Sequence, residues 1–593
     1  MRRVKGCVCK LFFRRNTVSA CGRALFPLPK DSDRRPWLLF PQGEKGVIPV
    51  LHKSAFGWPE ADFLHEGGMP MLQIQHLTIT HRRDLRVLLQ DFSFALRPGD
   101  RAALIGEEGN GKSTLLRLLY REELVQEYVE YSGVILKNGE IPGYLPQELT
   151  EEEKRLPVSA FCAAVPAFYD ASPRELAALA AQRGLDPAVW YDDRPLGGLS
   201  GGEKIRLQLA LLDLQRPTLL LLDEPSNDLD ADALAALEDY LLDSPVPVLY
   251  VSHDETLLSR TANVLIHLEL VRRKTEPRYT VARQSYDAYT AQRQASLEHQ
   301  VQMAEQEERD HRKQMEKYQQ IYQRVDHEQR VITRANPGGG RLLKKKMKAV
   351  LSQGRRLERE YEQRTRLPDV EEAVLAGFDP SVTLPPGKAV LELDLPVLSA
   401  GDRELARNIR LRVMGGEKIG LTGANGAGKT TLLRHIARML LPRRDIRVGY
   451  MPQDYTEWVE ADCTPAEYLA ACLQQQGGSG ESAHQCLTRA RTFLGSLKYT
   501  PEEMEHPASE LSGGQKAKLL LLRLILEKDD VLLLDEPTRN FSPLSQPVVR
   551  RVLQDFGGSM IAVSHDRRFL SEVCDTVYRL MPEGLVPAEK DLL

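Results

Sequence analysis

The chain has 593 residues, of which 42% are apolar and 27% are charged, and its formal net charge is -4. This composition is typical of a multidomain globular protein and excludes an intrinsically disordered chain. No run approaches the roughly 18 apolar residues that a membrane-spanning helix needs, and the eight cysteines are scattered without a CxxC pair, which argues against a zinc or iron–sulfur framework and fits a reducing cytoplasm.

Residues 1–70 precede the first regular pattern, an alternating strand at 71–80. Their start is basic but lacks the apolar core of a signal peptide. A Glu-Gly-Gly triplet stands just before Met69, and such a triplet can be encoded by a purine-rich ribosome-binding sequence. We therefore interpret residues 1–70 as a disordered extension or as an over-long gene start, with Met69 or Met71 as the true first residue.

Two copies of one domain follow each other in the chain. The segment GEEGNGKST at 106–114 returns as GANGAGKTT at 423–431, and LSGGE returns as LSGGQ. Strands and helices alternate in both copies, and apolar strands such as LLLLD are typical of a buried parallel sheet. The sequence therefore predicts two tandem P-loop α/β domains, at residues 71–285 and 389–593.

Each copy carries the pattern GxxxxGK[ST] between a strand and a helix, which is typical of a P-loop. Its glycines let backbone N–H groups point toward phosphate, and the helix N-terminus adds positive potential. The lysine reaches the terminal phosphates, and the following hydroxyl holds Mg²⁺. The predicted phosphate-binding residues are Gly106, Gly109, Gly111, Lys112, Ser113 and Thr114 in the first copy and Gly423, Gly426, Gly428, Lys429, Thr430 and Thr431 in the second.

An apolar strand that ends in Asp-Glu follows in each copy. Asp223 and Asp535 are predicted to act on Mg²⁺ through water, beside Ser113 and Thr430. The next glutamate can orient or deprotonate the attacking water, and the histidine of a later Ser-His-Asp segment can contact the γ-phosphate. The predicted catalytic residues are Glu224, Glu536, His253 and His565, and the candidates for sensing Mg²⁺ and water are Gln147 and Gln453.

A Ser-Gly-Gly segment opens a helix in each copy and offers a second anion site. Its residues are Ser200, Gly201 and Gly202 in the first copy and Ser512, Gly513 and Gly514 in the second. The ordered set of P-loop, Gln loop, LSGG[EQ], LLLDEP and SHD resembles ATP-binding cassette ATPases, in which the signature of one domain closes on the P-loop nucleotide of the other. The resemblance implies two composite ATP sites within a monomer, one pairing Lys112 with Ser512 and the other pairing Lys429 with Ser200.

The two copies differ in the loop after Asp-Glu-Pro. Asp230 stands where the family has an acid that couples the two sites, and its counterpart is Ser542. The resemblance therefore implies two sites that are not equivalent. His81 can stack on a purine base in the first copy, whereas no ring is found near Ala400 in the second, so the selectivity for purines is left open.

Residues 286–366 have a different character. Apolar and Tyr residues recur at spacings of four and three on both sides of an Asn-Pro-Gly-Gly-Gly break at 336–340. This pattern predicts a long antiparallel α-helical hairpin that turns at the glycines and joins the two domains. A connector, residues 367–388, is predicted to follow.

Nine Arg or Lys residues and no acid stand between residues 330 and 356, at and after the predicted tip of this hairpin. Such a patch favours an anionic partner, and a structured nucleic acid is the best candidate. The tip lacks aromatic residues, so contacts to phosphates are expected rather than base stacking. The predicted RNA-contact residues are Arg334, Arg341, Lys344, Lys345, Lys346 and Lys348.

Tandem cassettes with a basic helical linker and no membrane span resemble the ABC-F subfamily, whose members bind the ribosomal tRNA exit site and contact P-site tRNA and the peptidyl-transferase region through the linker. The resemblance implies a cytoplasmic, ATP-driven translation factor, with ATP and Mg²⁺ as cofactors and the ribosome, through rRNA and P-site tRNA, as partner. It leaves open whether the chain protects ribosomes against antibiotics. Two alternatives stay open: a DNA-maintenance ATPase, and the soluble ATPase subunit of a transporter, which would leave the basic hairpin unexplained.

Overall fold

The computed structural model describes residues 71–227, 229–271, 276–331, 337–362, 364, 377–401, 403–455, 463–476 and 482–588. The predicted extension or gene-start error, residues 1–70, lies outside the described residues, as do Arg334 and residues 367–376 of the predicted connector. Among the helices in these ranges, none is long and apolar enough to cross a membrane.

The first domain contains two sheets. Its strands are β1 Leu72–His81, β2 Val87–Leu96, β3 Arg101–Ile105, β4 Val129–Leu136, β5 Pro142–Leu145, β6 Leu219–Asp223, β7 Val248–Val251, β8 Val264–Leu270 and β9 Glu276–Ala282. Its helices are α1 Lys112–Tyr120, α2 Glu151–Arg155, α3 Val158–Ala163, α4 Pro166–Asp170, α5 Pro173–Gln182, α6 Gly201–Leu214, α7 Ala231–Leu242 and α8 Glu255–Thr261. The strands β5, β6, β7, β3 and β8 lie side by side in parallel, β9 adds an antiparallel edge, and β2, β1 and β4 form a separate antiparallel sheet.

The parallel sheet of the first domain is covered on both faces. Every residue of β6 is buried. Leu221 packs with the α1 side of the core, whereas Leu220 packs with α6, α7 and α8 on the other side. Because the strands are parallel, the P-loop after β3, Asp223 at the end of β6 and His253 after β7 all lie at the same edge of the sheet.

The second domain repeats this architecture. Its strands are β10 Ala389–Ala400, β11 Arg403–Met414, β12 Lys418–Thr422, β13 Val448–Met451, β14 Val531–Asp535, β15 Ser559–Val563, β16 Thr576–Met581 and β17 Gly584–Ala588. The helices of this domain are α11 Lys429–Leu440, α12 Pro465–Gln476, α13 Ala483–Ser496, α14 Pro501–Glu505, α15 Gly513–Glu527, α16 Gln546–Gln554 and α17 Arg567–Val573. The order β13, β14, β15, β12, β16, β17 matches the order of the first sheet strand for strand, which confirms the prediction of two copies of one α/β fold.

Two long helices, α9 Tyr286–Val331 and α10 Pro337–Glu362, connect the domains. The ring of His311 stacks on that of Tyr361 with 4.1 Å between the centroids, and Gly354 packs against the ring of Tyr318. In each pair the two residue numbers have the same midpoint, 336. The two helices therefore run antiparallel about that position. The predicted antiparallel hairpin is confirmed.

The predicted turn at the glycines is wrong. The helix α10 begins at Pro337, so the glycines at 338–340 belong to its first helical turn. Proline suits the first position of a helix because its φ is helical and its missing N–H would have no partner there. Residues 332–336, which precede Pro337, lie outside the described part of the chain.

The seam between the helices follows the predicted spacing on α10 more closely than on α9. On α10 the seam residues Leu343, Val350 and Leu357 are all buried. Of the predicted seam residues on α9, only Ala304 and Val325 are buried, and three are exposed: Glu308, Tyr322 and Gln329. The hairpin is therefore held together by a thin apolar seam.

We expect Gly354→Ala to weaken the hairpin, although helix propensity alone favours Ala over Gly by about 1 kcal/mol. A Cβ at Gly354 would lie 2.6 Å from the Tyr318 Oη, whereas a Cβ at Gly340 on the same helix meets nothing within 4 Å. Hydrogen–deuterium exchange of the hairpin amides should therefore speed up in Gly354→Ala and slow down in the matched control Gly340→Ala. Slower exchange in both variants would show that Tyr318 does not pack on Gly354.

Candidate functional site

The glycines of the two P-loops have backbone conformations that other residues rarely adopt. Gly106 has a φ of 144°, and a Cβ there would clash with the carbonyl of Leu268. Gly111 caps α1 with a φ of 81°, and the second P-loop repeats both angles at Gly423 (145°) and Gly428 (100°). The glycine pattern is therefore required by the path of the loop into its helix.

The two P-loop lysines are buried in equivalent positions. Lys112 Nζ donates to the carbonyls of Gly106 at 2.8 Å and Glu107 at 2.9 Å. Lys429 Nζ makes the corresponding two bonds at 2.8 and 3.0 Å. Each loop thus holds an ammonium group beside the N-terminus of its helix, an arrangement suited to phosphate groups.

The hydroxyl and carboxylate pairs predicted for Mg²⁺ also come together. Ser113 Oγ donates to Asp223 Oδ1 at 2.9 Å. The two buried carboxylate oxygens of Asp535 have no hydrogen-bond partner of normal geometry among the described residues, and burial, which Thr430 offsets only in part, raises the pKa of this carboxyl. A buried carboxylate with open acceptor sites next to a hydroxyl fits a hard divalent cation such as Mg²⁺.

Both glutamates that follow these aspartates have left-handed backbone conformations, with φ values of 50° at Glu224 and 51° at Glu536. Such a conformation costs a side-chain-bearing residue roughly 1–2 kcal/mol. Strain of this kind concentrates at functional sites, where the surrounding structure holds it in place. The sequence pattern alone does not reveal this backbone turn, which the two copies share.

The first glutamate, Glu224, has close partners that favour its ionised form. Its Oε1 lies 3.2 Å from His253 Nε2, and Asn227 donates to its Oε2 at 2.9 Å. Burial would raise the pKa of Glu224, but the interactions with His253 and Lys112 outweigh burial and lower that pKa to about 2.

The second glutamate has a different environment. Its Oε1 lies 3.9 Å from His565 Nε2, so this pair is looser than the first. Burial raises the pKa of Glu536 to about 7, and burial together with Lys429 lowers the pKa of His565 to about 4. The two sites therefore differ in the pKa of their glutamates.

Residues of the second domain complete the first site. Gly514 donates its backbone N–H to Glu108 Oε2 at 2.8 Å, and Lys518 pairs with Glu107 at 2.5 Å. The carbonyl of Phe541, in the loop after Asp-Glu-Pro, lies 3.3 Å from His253 Nδ1. The P-loop of the first domain thus faces the Ser-Gly-Gly segment of the second.

The second site is a cavity of about 720 Å³ between the domains. It is lined by Gly201 and Lys204 of the first domain and by P-loop residues of the second. Burial lowers the pKa of Lys429 and of His565, and the negative charge of Asp230 opposes that lowering. Its lining includes these predicted residues: Gly201, Gly426, Gly428, Lys429, Thr430, Thr431, Gln453, Asp535, Glu536 and His565.

A smaller cavity, about 480 Å³, lies at the first P-loop. The predicted residues that line it are Gly109, Gly111, Lys112, Ser113, Thr114, Gln147 and Glu224. Glu108 lines it too, whereas the signature residues 511–515 do not. The carboxylate of Glu108 therefore stands between this cavity and the opposite signature.

The two signature serines also cap helices. Ser200 Oγ accepts from Glu203 N while the Glu203 carboxylate accepts from Ser200 N, and Ser512 and Gln515 do the same at α15. This reciprocal arrangement is a capping box. The Glu or Gln that ends LSGG[EQ] therefore has a local structural role in holding the Ser-Gly-Gly segment in place.

Sequence reasoning missed several residues of the sites. Tyr128 lines the first cavity beside His81, with 6.3 Å between the ring centroids, because β4 pairs with β1. A strand pairing of this kind leaves no local signal in the sequence. Ala400 and Leu405 line the second cavity near the position where no ring was found.

The described members of the predicted RNA-contact set lie on the hairpin and line neither cavity. Arg341, Lys344, Lys345, Lys346 and Lys348 are all exposed on α10, and Arg334 lies outside the described residues. The basic surface and the P-loops are thus separate regions of the molecule.

We expect Glu108→Asn to strengthen nucleotide binding at the first site, because Glu108 places a negative charge where nucleotide phosphates would lie. Two unit charges about 4 Å apart in water interact by about 1 kcal/mol, or roughly fivefold in affinity. The measurement is calorimetric titration with a non-hydrolysable ATP analogue in a Lys429→Ala background, where only the first site is intact. The reciprocal control is Asn425→Glu in a Lys112→Ala background, which should bind more weakly. Weaker binding by Glu108→Asn would contradict the repulsion.

Comparisons with known proteins agree with this geometry. A family model described as ABC transporter matches residues 89–227 and 406–539. The tylosin resistance ATP-binding protein TlrC of Streptomyces fradiae is 32% identical over 574 residues, which cover 87% of this chain and 98% of TlrC. The probable ATP-binding protein YheS of Escherichia coli K12 is 29% identical over 543 residues, covering 86% of this chain and 79% of YheS.

Solved structures share the tandem fold at low identity. The archaeal ribosome recycling factor aABCE1, solved in complex with ribosomal stalk protein aP1, is 17% identical with a TM-score of 0.54 and covers 87% of this chain and 91% of its own. A structure of RNase-L Inhibitor is 18% identical with a TM-score of 0.52 and covers 87% and 92%. On the evidence of the motifs, the tandem fold and the full-length relatives, the chain is an ATPase and belongs to the ABC-F family of ATP-binding cassette proteins.

Proposed function

We propose that this chain is an ATP-driven translation factor that binds the ribosome and places its hairpin on RNA near the peptidyl-transferase region, in contact with P-site tRNA. The observation that carries the proposal is the hairpin itself, which presents cations to solvent on a helix that is joined to two ATP-binding domains. ATP would act in the cytoplasm to pair the domains, and hydrolysis would release them.

The cations of α10 form a stripe on its outer face. Leu343, Val350 and Leu357 face α9, so residues half a turn away point outward. At spacings that keep to one side of a helix stand five exposed cations: Arg341, Lys345, Lys348, Arg355 and Arg359. From Arg341 to Arg359 this stripe spans about 27 Å at 1.5 Å per residue. A row of cations of that length suits the phosphates of a folded RNA.

Not every cation of the patch is available to a partner. Arg330 pairs with Asp326 and Arg356 pairs with Glu360, both at 2.7 Å. By contrast, Lys345 and Lys348 form no ion pair with any residue in the described ranges. Exposed cations that form no ion pair in the described ranges therefore remain on α10, Lys345 and Lys348 of the outer stripe among them.

One relative supports a more specific role for this chain than ATP-driven binding to the ribosome. TlrC, which aligns along nearly its whole length, is named for tylosin resistance. We propose protection of the ribosome against antibiotics as the role of this chain. YheS bears a name that states only ATP binding, so that likeness adds nothing to this finer proposal.

For ATP hydrolysis we propose the same division of roles in each site. Lys112 and Lys429 bind the terminal phosphates, and the signature of the opposite domain closes over them. Glu224 and Glu536 orient the attacking water and accept its proton. His253 and His565 contact the γ-phosphate and keep it in position. Gln147 and Gln453, at the cavity walls, sense the water and the metal.

A magnesium ion fits the residues found beside each P-loop. Ser113 with Asp223, and Thr430 with Asp535, offer hydroxyl and carboxylate oxygens, which this cation prefers. When bound, Mg²⁺ neutralises charge on the phosphates. The ion-binding role of these four residues is part of the proposal.

A double variant, Glu224→Gln with Glu536→Gln, should bind ATP without hydrolysing it and so keep the domains paired. We expect this variant to co-sediment with 70S ribosomes in the presence of ATP and to leave them when ATP is omitted. The control is the same variant with Lys112→Ala and Lys429→Ala, which should not co-sediment. Association with duplex DNA or with membranes in place of ribosomes would favour the DNA-maintenance or the transporter alternative.

Removing the outer stripe should weaken ribosome binding without slowing ATP hydrolysis. We expect Lys345→Ala with Lys348→Ala to lower ribosome affinity and to reduce its logarithmic salt dependence by about one unit per lost phosphate contact. The matched control, Arg330→Ala with Arg356→Ala, removes two cations that already have acidic partners and should change binding much less. An equal loss of ATPase activity in the first variant would mean that the stripe supports the fold of the domains instead.

A further inference from the structure

Two ion pairs cross between the domains next to the nucleotide sites. Arg550 on α16 makes a two-pronged contact with Glu255 on α8, at 2.9 and 3.1 Å, and both side chains are almost fully buried at 4% and 2% exposure. Arg567 on α17 pairs with Glu238 on α7 at 3.1 Å. These four residues are called the latch below.

The two pairs occupy equivalent positions in the duplicated fold. Ser200 and Ser512 are 312 residues apart, and the same offset converts Glu238 into Arg550 and Glu255 into Arg567. Each bridge therefore joins the same two helix positions, one from each domain. The charges are exchanged, however, because the first domain supplies both glutamates and the second supplies both arginines.

The exchanged charges determine which domains can pair with each other. If two copies of the first domain met in the same geometry, Glu would face Glu, and two copies of the second would place Arg against Arg. Arg550 also pairs with Glu572 of its own domain at 2.7 Å, and Glu238 also pairs with Arg260. Like charges that face each other at a buried interface still repel, and repulsion of this kind is a common source of specificity at interfaces. Only a first domain facing a second domain satisfies all four residues.

The latch extends to the base of the hairpin. Arg568, next to Arg567, donates to Glu255 Oε2 at 3.0 Å and to Asp287 Oδ1 at 2.9 Å. Tyr286, the first residue of α9, donates its hydroxyl to the carbonyl of Pro543 at 3.0 Å and is buried. The first turn of the hairpin is thus bonded to the second domain at the same place where the domains pair.

We propose that the charges of the latch are a charge code: they favour pairing of the first domain with the second over pairing of two first domains or two second domains. Arg568 extends this pairing to the hairpin through Asp287. The four residues are positioning residues, because they touch neither P-loop and act by holding the two halves of each site together. The proposal concerns the pairing of the domains and does not depend on the ribosome as the target.

The test uses the pair Glu238–Arg567, since the other residue bonded to Glu238, Arg260, is half exposed and can turn into solvent. In the full-length chain, Glu238→Arg alone and Arg567→Glu alone should each lower kcat for ATP about tenfold and raise deuterium uptake in α8 and α17. The variant that carries both changes should return kcat to within about twofold of the original chain and restore the slow exchange. Failure of the exchanged pair to recover, or no effect of either single change, would overturn the charge code.

A control separates loss of pairing from loss of fold. Arg183 pairs with Asp213 at 2.6 Å inside the first domain. Arg183→Glu should lower the melting temperature but leave deuterium uptake in α8 and α17 unchanged. Uptake that rises there as much as in Glu238→Arg would show that the latch effect is only a general loss of stability.

The link to the hairpin is tested separately with Asp287→Asn. We expect faster deuterium uptake in the first turn of α9, with kcat within about twofold of the original. The matched control is Asp310→Asn, which changes an exposed aspartate farther along the same helix. Unchanged uptake in the first turn of α9 would overturn the link through Arg568.

Discussion

Each nucleotide site in this protein is divided between two domains, so the pairing of the domains is the constraint on which the rest of the structure depends. Gly514 of the second domain reaches Glu108 of the first P-loop, and Gly201 of the first domain lines the cavity of the second. The covalent linker raises the effective concentration of one half for the other, and the latch favours their correct pairing.

The duplication gives both domains the same fold, and differences between their side chains then make the two sites unequal. A carboxylate at Glu108 replaces the amide at Asn425, and Ser542 replaces the acid at Asp230. The pKa of Glu224 is lowered by a close histidine, while burial raises that of Glu536. The side chains of the two sites and the pKa values of their glutamates therefore differ within one chain.

The sequence was most informative where function depends on short, local patterns. The P-loops, the signatures and the parallel sheets were predicted because glycine spacing and apolar periodicity are local properties. The contact between Glu108 and Gly514 spans more than 400 residues and depends on how the domains meet, so no local pattern encodes it. The hairpin was predicted from its periodicity, but the turn was misplaced because glycine is common in turns and the helical start favoured by Pro337 was overlooked.

The hairpin converts small changes at the interface into large movements at its far end. Its first helix has 46 residues and is therefore about 69 Å long. Tyr286 and Asp287, at the root, are bonded to the second domain beside the latch. If the domains rotate by about 5° at this root, a rigid helix of that length moves its tip by about 6 Å, close to one helical turn. If pairing of the domains also fixes the direction of α9, the position of the basic stripe would report the state of the domains.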